Sequence, residues 1–185
     1  MAQQSPEETP WHAAFPTPTA SLSNSTLSSI SAPELRELVL AQPELEQREF
    51  LVVDVRRTDF EVRFISRSFE RTRKEAELTG GDVGCSLPGG CRRAQDAFIK
   101  GAVNFPAHSF YPTLPSVLPI LSRYRTVIFH CQSSQGRGPR CAGWYQDALD
   151  QAGIARDVSR AVVLAGGIKE WVRQFGDERE VTVKL

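Results

Sequence analysis

Long apolar runs, an excess of charge of either sign and a dense set of cysteines are all missing from this chain of 185 residues. No stretch is apolar over the roughly 20 residues that a membrane-spanning helix needs, so we expect no membrane association. Lysine and arginine total 22, as do aspartate and glutamate, and this balance gives no net charge that would draw the chain to nucleic acid. The four cysteines lack the spacing of a secreted disulfide framework. The first residues also lack a basic region followed by an apolar core, so we expect a reducing compartment, the cytoplasm first, with the nucleus left open.

Serine, threonine, proline and alanine dominate residues 1 to about 30. This composition buries too little apolar surface to offset the entropy of ordering the chain, so we predict a mostly disordered tail over residues 1–30. Two large aromatic residues, Trp11 and Phe15, interrupt the tail. We expect them to dock on the following domain, with binding to a partner as the alternative.

Strand and helix patterns alternate from residue 31 onward. Continuous apolar runs between polar residues predict buried parallel strands, and apolar residues at helical spacing predict helices. A capping-box pattern at Ser31 predicts a first helix that ends near Ala41. The main predicted strands cover residues 50–56, 126–130 and 161–164, and the later helices begin after Pro115, at Arg140 and at Ile168. This order predicts an α/β fold, with a mainly parallel sheet of about five strands and helices on both faces.

The strand over 126–130 leads into a short loop with the strongest chemical signal in the chain. Cys131 follows the strand, and five residues separate it from Arg137. Such a loop can turn its backbone N–H groups inward, and with the positive end of the next helix these groups form a cradle for an oxyanion. Cys131 would lie there as a thiolate, its pKa lowered by the helix end, the loop amides and His130, while Arg137 would bind two oxygens of a tetrahedral oxyanion. The predicted oxyanion-binding loop residues are Gln132, Ser133, Ser134, Gln135 and Gly136.

Four stretches together resemble the rhodanese-like domain family. They are Asp54-Val55-Arg56, Ile99 to Asn104, the loop from Cys131 to Arg137, and Leu164 to Trp171. Sulfurtransferases of this family usually have a six-residue active loop, whereas the loop here has seven residues. The longer loop is similar to two eukaryotic branches, the M-phase inducer phosphatases and the arsenate reductases related to them. The resemblance implies Cys131 as nucleophile and Arg137 as oxyanion clamp.

The loop contains no carboxylate. M-phase inducer phosphatases place a glutamate just before the arginine, and here that position is Gly136. A phosphatase must protonate its leaving group, and general acid catalysis contributes ~10²–10⁴-fold, so this absence favours arsenate reduction. The first prediction is therefore a thiol-dependent arsenate reductase, with glutathione or glutaredoxin as reductant and no bound cofactor. A protein tyrosine or dual-specificity phosphatase acting on a phosphate ester is second, a sulfurtransferase is third, and a non-catalytic oxyanion-binding module stays open.

Two further residues have alternative roles. Cys141 follows Arg137 by one helical turn, where the arsenate-reducing branch often has a cysteine. It would be a resolving thiol or, as is more common for cysteine in such a helix, a buried structural residue. Asp54, near the carboxyl end of its strand, would either face the site or, as we favour, hold loop amides or an arginine.

The resemblance is interrupted between Val62 and Ala97, so we predict a rhodanese-like domain over 31–180 with an insertion at 62–97. So long a connection without its own core is unusual inside a compact domain. Two interpretations stay open: a surface insertion that shapes access to the site, and translated intron sequence. The insertion contains Cys85 and Cys91, but a single pair of cysteines is weak evidence for zinc, and no metal site is predicted.

Overall fold

The structure of the protein is a computed structural model that describes residues 10–56 and 97–184. The predicted insertion, with Cys85 and Cys91, lies outside the described residues except for Ala97. The elements, numbered along the chain, are β1 (Ser28–Ile30), α1 (Ala32–Ala41), β2 (Phe50–Asp54), β3 (Ala97–Ile99), β4 (Val103–Asn104), α2 (Ala107–Leu121), β5 (Thr126–His130), α3 (Arg137–Gln151), β6 (Arg160–Leu164), α4 (Gly167–Phe175) and β7 (Thr182–Lys184). Two short 3₁₀ helices, Trp11–Ala14 and Leu45–Gln47, complete the described part of the chain.

Five strands form one parallel sheet in the order β1-β6-β5-β2-β4. Strands β2, β5 and β6 are almost wholly apolar because both faces of the sheet are covered, by α2 and α3 on one side and by α1 and α4 on the other. Strands β3 and β7 pair antiparallel in a separate two-stranded sheet. The predicted α/β fold, with a mainly parallel sheet of about five strands between helices, is confirmed. Among the described helices, none is long and apolar enough to cross a membrane.

The carboxyl ends of the central strands meet at one edge of the sheet. Asp54 at the end of β2 lies opposite His130 at the end of β5. Helix α3 begins just after β5, and α4 begins just after β6, at the same edge. Since ligands of open α/β sheets bind at such an edge, the fold gathers the predicted site residues there.

The predicted start of α1 is correct, whereas that of α2 is wrong. Helix α1 begins with the predicted capping box: the Ser31 N–H donates to the Glu34 carboxylate at 2.8 Å, and the Glu34 N–H donates to the Ser31 hydroxyl at 3.4 Å. Helix α2 was predicted to begin after Pro115 but begins at Ala107 and contains three prolines. Its buried apolar face, which includes Phe110, stabilises the helix against the cost of those prolines.

The segment over residues 10–20, here called the N-terminal strap, crosses α2 and α3. Trp11 and Phe15 pack edge-on against Trp144 of α3, with ring centroids 6.2 and 5.8 Å apart. The indole N–H of Trp144 donates to the carbonyl oxygen of Pro16 at 2.7 Å. The expectation that Trp11 and Phe15 dock on the domain is therefore confirmed.

A single carboxylate fixes the far end of the strap. Asp147 of α3 accepts the N–H of Thr19 at 2.7 Å, its hydroxyl at 2.6 Å, and the N–H of Ala20 at 2.9 Å. The chain then continues into β1, which pairs with β6. The prediction of a mostly disordered tail is thus wrong for residues 10–30, because a few aromatic and polar contacts order a segment whose average composition is polar. Residues 1–9 lie outside the described part.

Gly143→Ala tests the packing of the strap on α3. In a free helix alanine is favoured over glycine by ~1 kcal/mol. A Cβ atom at Gly143 would lie 2.5 Å from the carbonyl oxygen of Ala20 and 2.7 Å from Cβ of Pro18, so the substitution must displace the strap. We expect the free energy of unfolding to fall by about 1–3 kcal/mol in urea denaturation. A gain in stability would show that the strap does not cover this helix face.

Candidate active site

The turn between β5 and α3 places the predicted catalytic residues at the carboxyl edge of the sheet. Strand β5 ends at His130, and Cys131 follows with 3% of its surface exposed. The predicted succession of strand, loop and helix is confirmed, but α3 begins at Arg137 rather than at Arg140. The positive end of the helix therefore adjoins the loop directly.

The first two carbonyl groups of the loop are held by α4. The N–H groups of Ile168 and Lys169 donate to the carbonyl oxygens of Cys131 and Gln132, each at 3.0 Å. This approach requires glycine at 167, since a Cβ atom there would lie 2.6 Å from the Cys131 oxygen and φ is +62°. Because the N–H and C=O of a trans peptide point in opposite directions, the N–H groups that follow these carbonyls face away from α4.

The backbone N–H groups of the loop are available to a ligand. None of the six from Gln132 to Arg137 donates a hydrogen bond to the residues that the structure describes. Ser134 turns the loop with φ at +53°, and its hydroxyl oxygen lies 3.5 Å from the Cys131 N–H. Gly138, in the first turn of α3, lies beside the start of the loop, where a Cβ atom would be 3.4 Å from the Cys131 nitrogen. These amides and the helix end form a cradle that can bind a tetrahedral oxyanion beside the thiol.

Arg137 is the first residue of α3 and directly follows the loop. It is half-buried, and its guanidinium group forms no hydrogen bond or ion pair with the described residues. A free guanidinium group at the start of α3 can bind two oxygens of an oxyanion at once. Arg140, one turn along the same helix, is also without a side-chain partner in the described part of the chain. Sequence reasoning missed Arg140 as a site residue, although a second cation in the first turn of the helix was a signal that it could have used.

The two described cysteines are both free and buried. Burial raises the pKa of the Cys141 thiol, and Cys131 raises it further, while Arg140 and Arg137 act in the opposite direction. These electrostatic interactions place Cys141 near Cys131 and near both arginines. Since the thiolate is the reactive form of cysteine, this geometry favours a structural role for Cys141 over that of a resolving thiol.

Three buried polar side chains, those of Asp54, Arg56 and His130, meet below the loop. Nε of Arg56 donates to the two carboxylate oxygens of Asp54 at 3.0 and 2.8 Å, and Nη2 of Arg56 lies 2.6 Å from Oδ2 of Asp54. Burial opposes the charge of Asp54, but His130 and Arg56 together hold the pKa of this carboxyl below its usual value. Asp54 thus has the role that the sequence favoured, since it holds an arginine rather than facing the thiol.

His130 lies on the opposite face of the sheet from the thiol. Side chains alternate along β5, so Phe129 and Cys131 share the core under α2 and α3, while His130 lies beside Asp54. Nδ1 of His130 is 3.3 Å from the carbonyl oxygen of Cys131 and 3.8 Å from Oδ1 of Asp54. Burial lowers the pKa of His130, and the attraction of Asp54 does not restore it. His130 therefore contacts the backbone carbonyl of Cys131 as a neutral side chain, on the face of the sheet opposite the thiol whose pKa it was predicted to lower.

Comparison with known proteins assigns the chain to a family. Residues 35–174 match the family model for the rhodanese-like domain, and the chain belongs to this family. Among solved structures it is similar to Ygr203w, described as a yeast protein tyrosine phosphatase of the rhodanese family, with a TM-score of 0.53 and 23% identity over 85% of this chain and 92% of that one. At this identity the likeness shows the fold alone.

The curated relatives come from two activity classes. The chain is 37% identical over 79 residues to arsenate reductase 2.2 of Oryza sativa subsp. japonica. These 79 residues make up 43% of this chain and 61% of the relative. It is 45% identical over 56 residues to the CDC25-like phosphatase YCH1 of Saccharomyces cerevisiae, 30% of this chain and 36% of the relative. Each match spans less than two thirds of the relative's length. These relatives confirm the predicted family and branch, and they are cysteine-based enzymes.

The lowered pKa of His130 makes the stability of the fold depend on pH. In the unfolded chain this imidazole takes up a proton near pH 6.5, whereas in the folded protein it does so only at lower pH. Below about pH 6.5 the unfolded state binds more protons, so the free energy of unfolding falls on acidification, by up to ~1.4 kcal/mol per pH unit for this group. We expect His130→Asn to show a smaller fall between about pH 7.5 and about pH 5.5 in urea denaturation. An equal fall in both proteins would mean that His130 is not the group responsible.

Proposed function

We propose that the protein is a thiol-dependent arsenate reductase. The observation that carries this proposal is the loop from Cys131 to Arg137, which combines free amides, an unpaired guanidinium group and a thiol but has no carboxylate. Hydrolysis of a phosphate ester calls for an acid that protonates the leaving alcohol. Arsenate reduction instead expels water and takes its electrons from thiols. The similarity to a rice protein described as an arsenate reductase supports this choice.

Cys131 is the proposed nucleophile. Arsenate binds with its oxygens on the loop amides and on Arg137, which neutralise its charge as it reacts. The thiolate sulfur of Cys131 attacks arsenic, an S–As bond forms, and one arsenate hydroxyl takes up a proton and leaves as water. Arsenic keeps the oxidation state +5 in this step.

Reduction follows when a glutathione thiolate attacks the sulfur of Cys131. A disulfide forms, the electron pair of the S–As bond passes to arsenic, and arsenite leaves in the oxidation state +3. A second glutathione, or a glutaredoxin, then attacks the mixed disulfide and restores the Cys131 thiol. One arsenate and two thiols thus give one arsenite, one disulfide and one water, and no bound cofactor is required. Cys141 has no part in this scheme because burial and the neighbouring Cys131 raise the pKa of its thiol.

The second candidate is a protein tyrosine or dual-specificity phosphatase, which the 45% identity to a CDC25-like phosphatase favours. Cys131 and Arg137 would have the same roles, with a phosphocysteine intermediate. Two turnovers separate the candidates: arsenate with glutathione and glutaredoxin, and hydrolysis of a chromogenic aryl phosphate. We expect arsenate turnover to dominate. Efficient phosphate hydrolysis without arsenate reduction would reverse this order.

Cys131→Ser removes the proposed nucleophile. We expect arsenate turnover to fall about a thousandfold or more, since no other described thiol lies in the cradle. Cys141→Ala is the matched control, because it removes the neighbouring thiol and leaves the loop intact, and it should keep turnover within about twofold. Full activity in Cys131→Ser would exclude Cys131 as nucleophile, and loss in Cys141→Ala in a folded protein would assign Cys141 a chemical role.

Gly136→Glu supplies the acid that the loop lacks. Gly136 has a negative φ of −140°, and a Cβ atom there would meet no atom within 4 Å. We expect this variant to hydrolyse the aryl phosphate about tenfold or more faster than the wild-type protein, since a positioned carboxylic acid can protonate the leaving group. Gly136→Gln has the same shape without the acid and should show no gain. Equal rates in the two variants would mean that the missing acid does not limit phosphate hydrolysis.

A further inference from the structure

Three cations without a partner among the described residues lie in the first turns of the two helices that begin at the loop. Arg137 and Arg140 lie in the first turn of α3, and Lys169 lies in the first turn of α4. The side chain of none of them forms a hydrogen bond or ion pair within residues 10–56 and 97–184. Arg137 and Arg140 are half-buried, whereas Lys169 is exposed.

The position of these residues in their helices favours an approach of the side chains to the loop. Side chains of an α-helix lean toward its N-terminus, and α3 and α4 both begin at the loop. The backbone N–H of Lys169 donates to the carbonyl oxygen of Gln132 at 3.0 Å, and that of Arg140 donates to Gly136 at 3.1 Å. The cations therefore extend from backbone positions that are bonded to the loop itself.

The described carboxylates near this edge do not neutralise them. Glu34 is held by Ser31, Glu170 by Arg173 and Asp54 by Arg56. In the proposed reaction arsenate is bound by Arg137 and the loop amides. Arg140 and Lys169 thus remain as positive charge that the oxyanion does not require.

We propose that Arg140 and Lys169 form a second anion site, which binds a carboxylate of the thiol that reduces the arsenate adduct. This inference rests on the proposed reductase activity and names the chemical class of the reductant: a thiol that carries carboxylates, as glutathione does. The planar guanidinium group of Arg140 matches a carboxylate, and Lys169 adds a mobile point charge. Binding at this site brings the incoming thiol to the sulfur of Cys131 and so raises its effective concentration.

The test compares glutathione with glutathione diethyl ester, which keeps the thiol but has both carboxylates blocked. Arsenate is saturating, and KM and kcat are measured for each thiol. We expect the ester to have a higher KM than glutathione with the wild-type protein. Arg140→Gln and Lys169→Gln should each raise the KM for glutathione about two- to fivefold and leave the KM values for the ester and for arsenate within about twofold. Added salt should raise the KM for glutathione more than that for the ester.

Arg160→Gln is the matched control, because Arg160 is an exposed arginine at the amino end of β6, on the opposite edge of the sheet. It should change neither KM. An equal rise for both thiols, or a rise in Arg160→Gln as large as in Arg140→Gln, would overturn the second anion site and leave arsenate reduction standing. If the wild-type protein reduces arsenate with neither thiol, the proposed function fails and this inference fails with it.

Discussion

The hydrogen bonds from the N-terminus of α4 to the first two carbonyls of the loop are the contact on which the site depends. Each peptide group is a rigid dipole, so fixing the carbonyl oxygens of Cys131 and Gln132 on α4 also fixes where the adjoining N–H groups point. Those N–H groups donate to no described residue, and preorganised donors of this kind need no rearrangement when a charge develops. The absence of a side chain at Gly167 is what lets the two backbones approach. The N-terminus of α4 thus orients the loop. The N-terminus of α3 adds its positive potential to the cradle.

The same carbonyl of Cys131 also receives a contact from the buried network on the other face of the sheet. His130 approaches it at 3.3 Å, and His130 in turn lies beside the ion pair of Asp54 and Arg56. Burying charges costs several kcal/mol unless they are paired and hydrogen-bonded, and here the guanidinium group also donates to the carbonyl of Ala97 at 2.9 Å. The ion pair therefore ties the end of β2 to β3. No side chain of this network reaches the sulfur. The network instead holds the carboxyl ends of β2 and β5, where the loop begins.

Sequence patterns predicted most of this architecture, and the misses have definite causes. The apolar runs of β2, β5 and β6 and the capping box of α1 are local signals, and they led to the correct fold and to the loop. The order of the N-terminal strap depends on Trp144 and Asp147, more than a hundred residues away in the chain, which average composition does not reveal. The start of α2 was misplaced because burial of one helix face outweighed three prolines. The face of the sheet on which His130 lies could have been predicted, because side chains alternate along a strand and so place His130 opposite Cys131. The contact between α4 and the loop could not be predicted, because no local sequence pattern indicates which N–H groups will hydrogen-bond to a loop carbonyl.

Both candidate chemistries form a covalent adduct on Cys131, but they differ in the group that leaves as it forms and in what the adduct can do next. A sulfur–phosphorus bond forms as an alcohol leaves, which calls for an acid. It is then broken by water, because phosphorus in a phosphate does not accept an electron pair from a thiol, so the protein must supply proton transfer. A sulfur–arsenic bond gives its electron pair to arsenic when a second thiol attacks the sulfur, and that step needs an incoming thiol rather than an acid. A loop without a carboxylate, with Arg140 and Lys169 in the first turns of the adjoining helices, meets the second requirement better than the first. The cradle would bind the oxyanion in either reaction, and we propose that the nearby positive charge selects the second reactant that completes it.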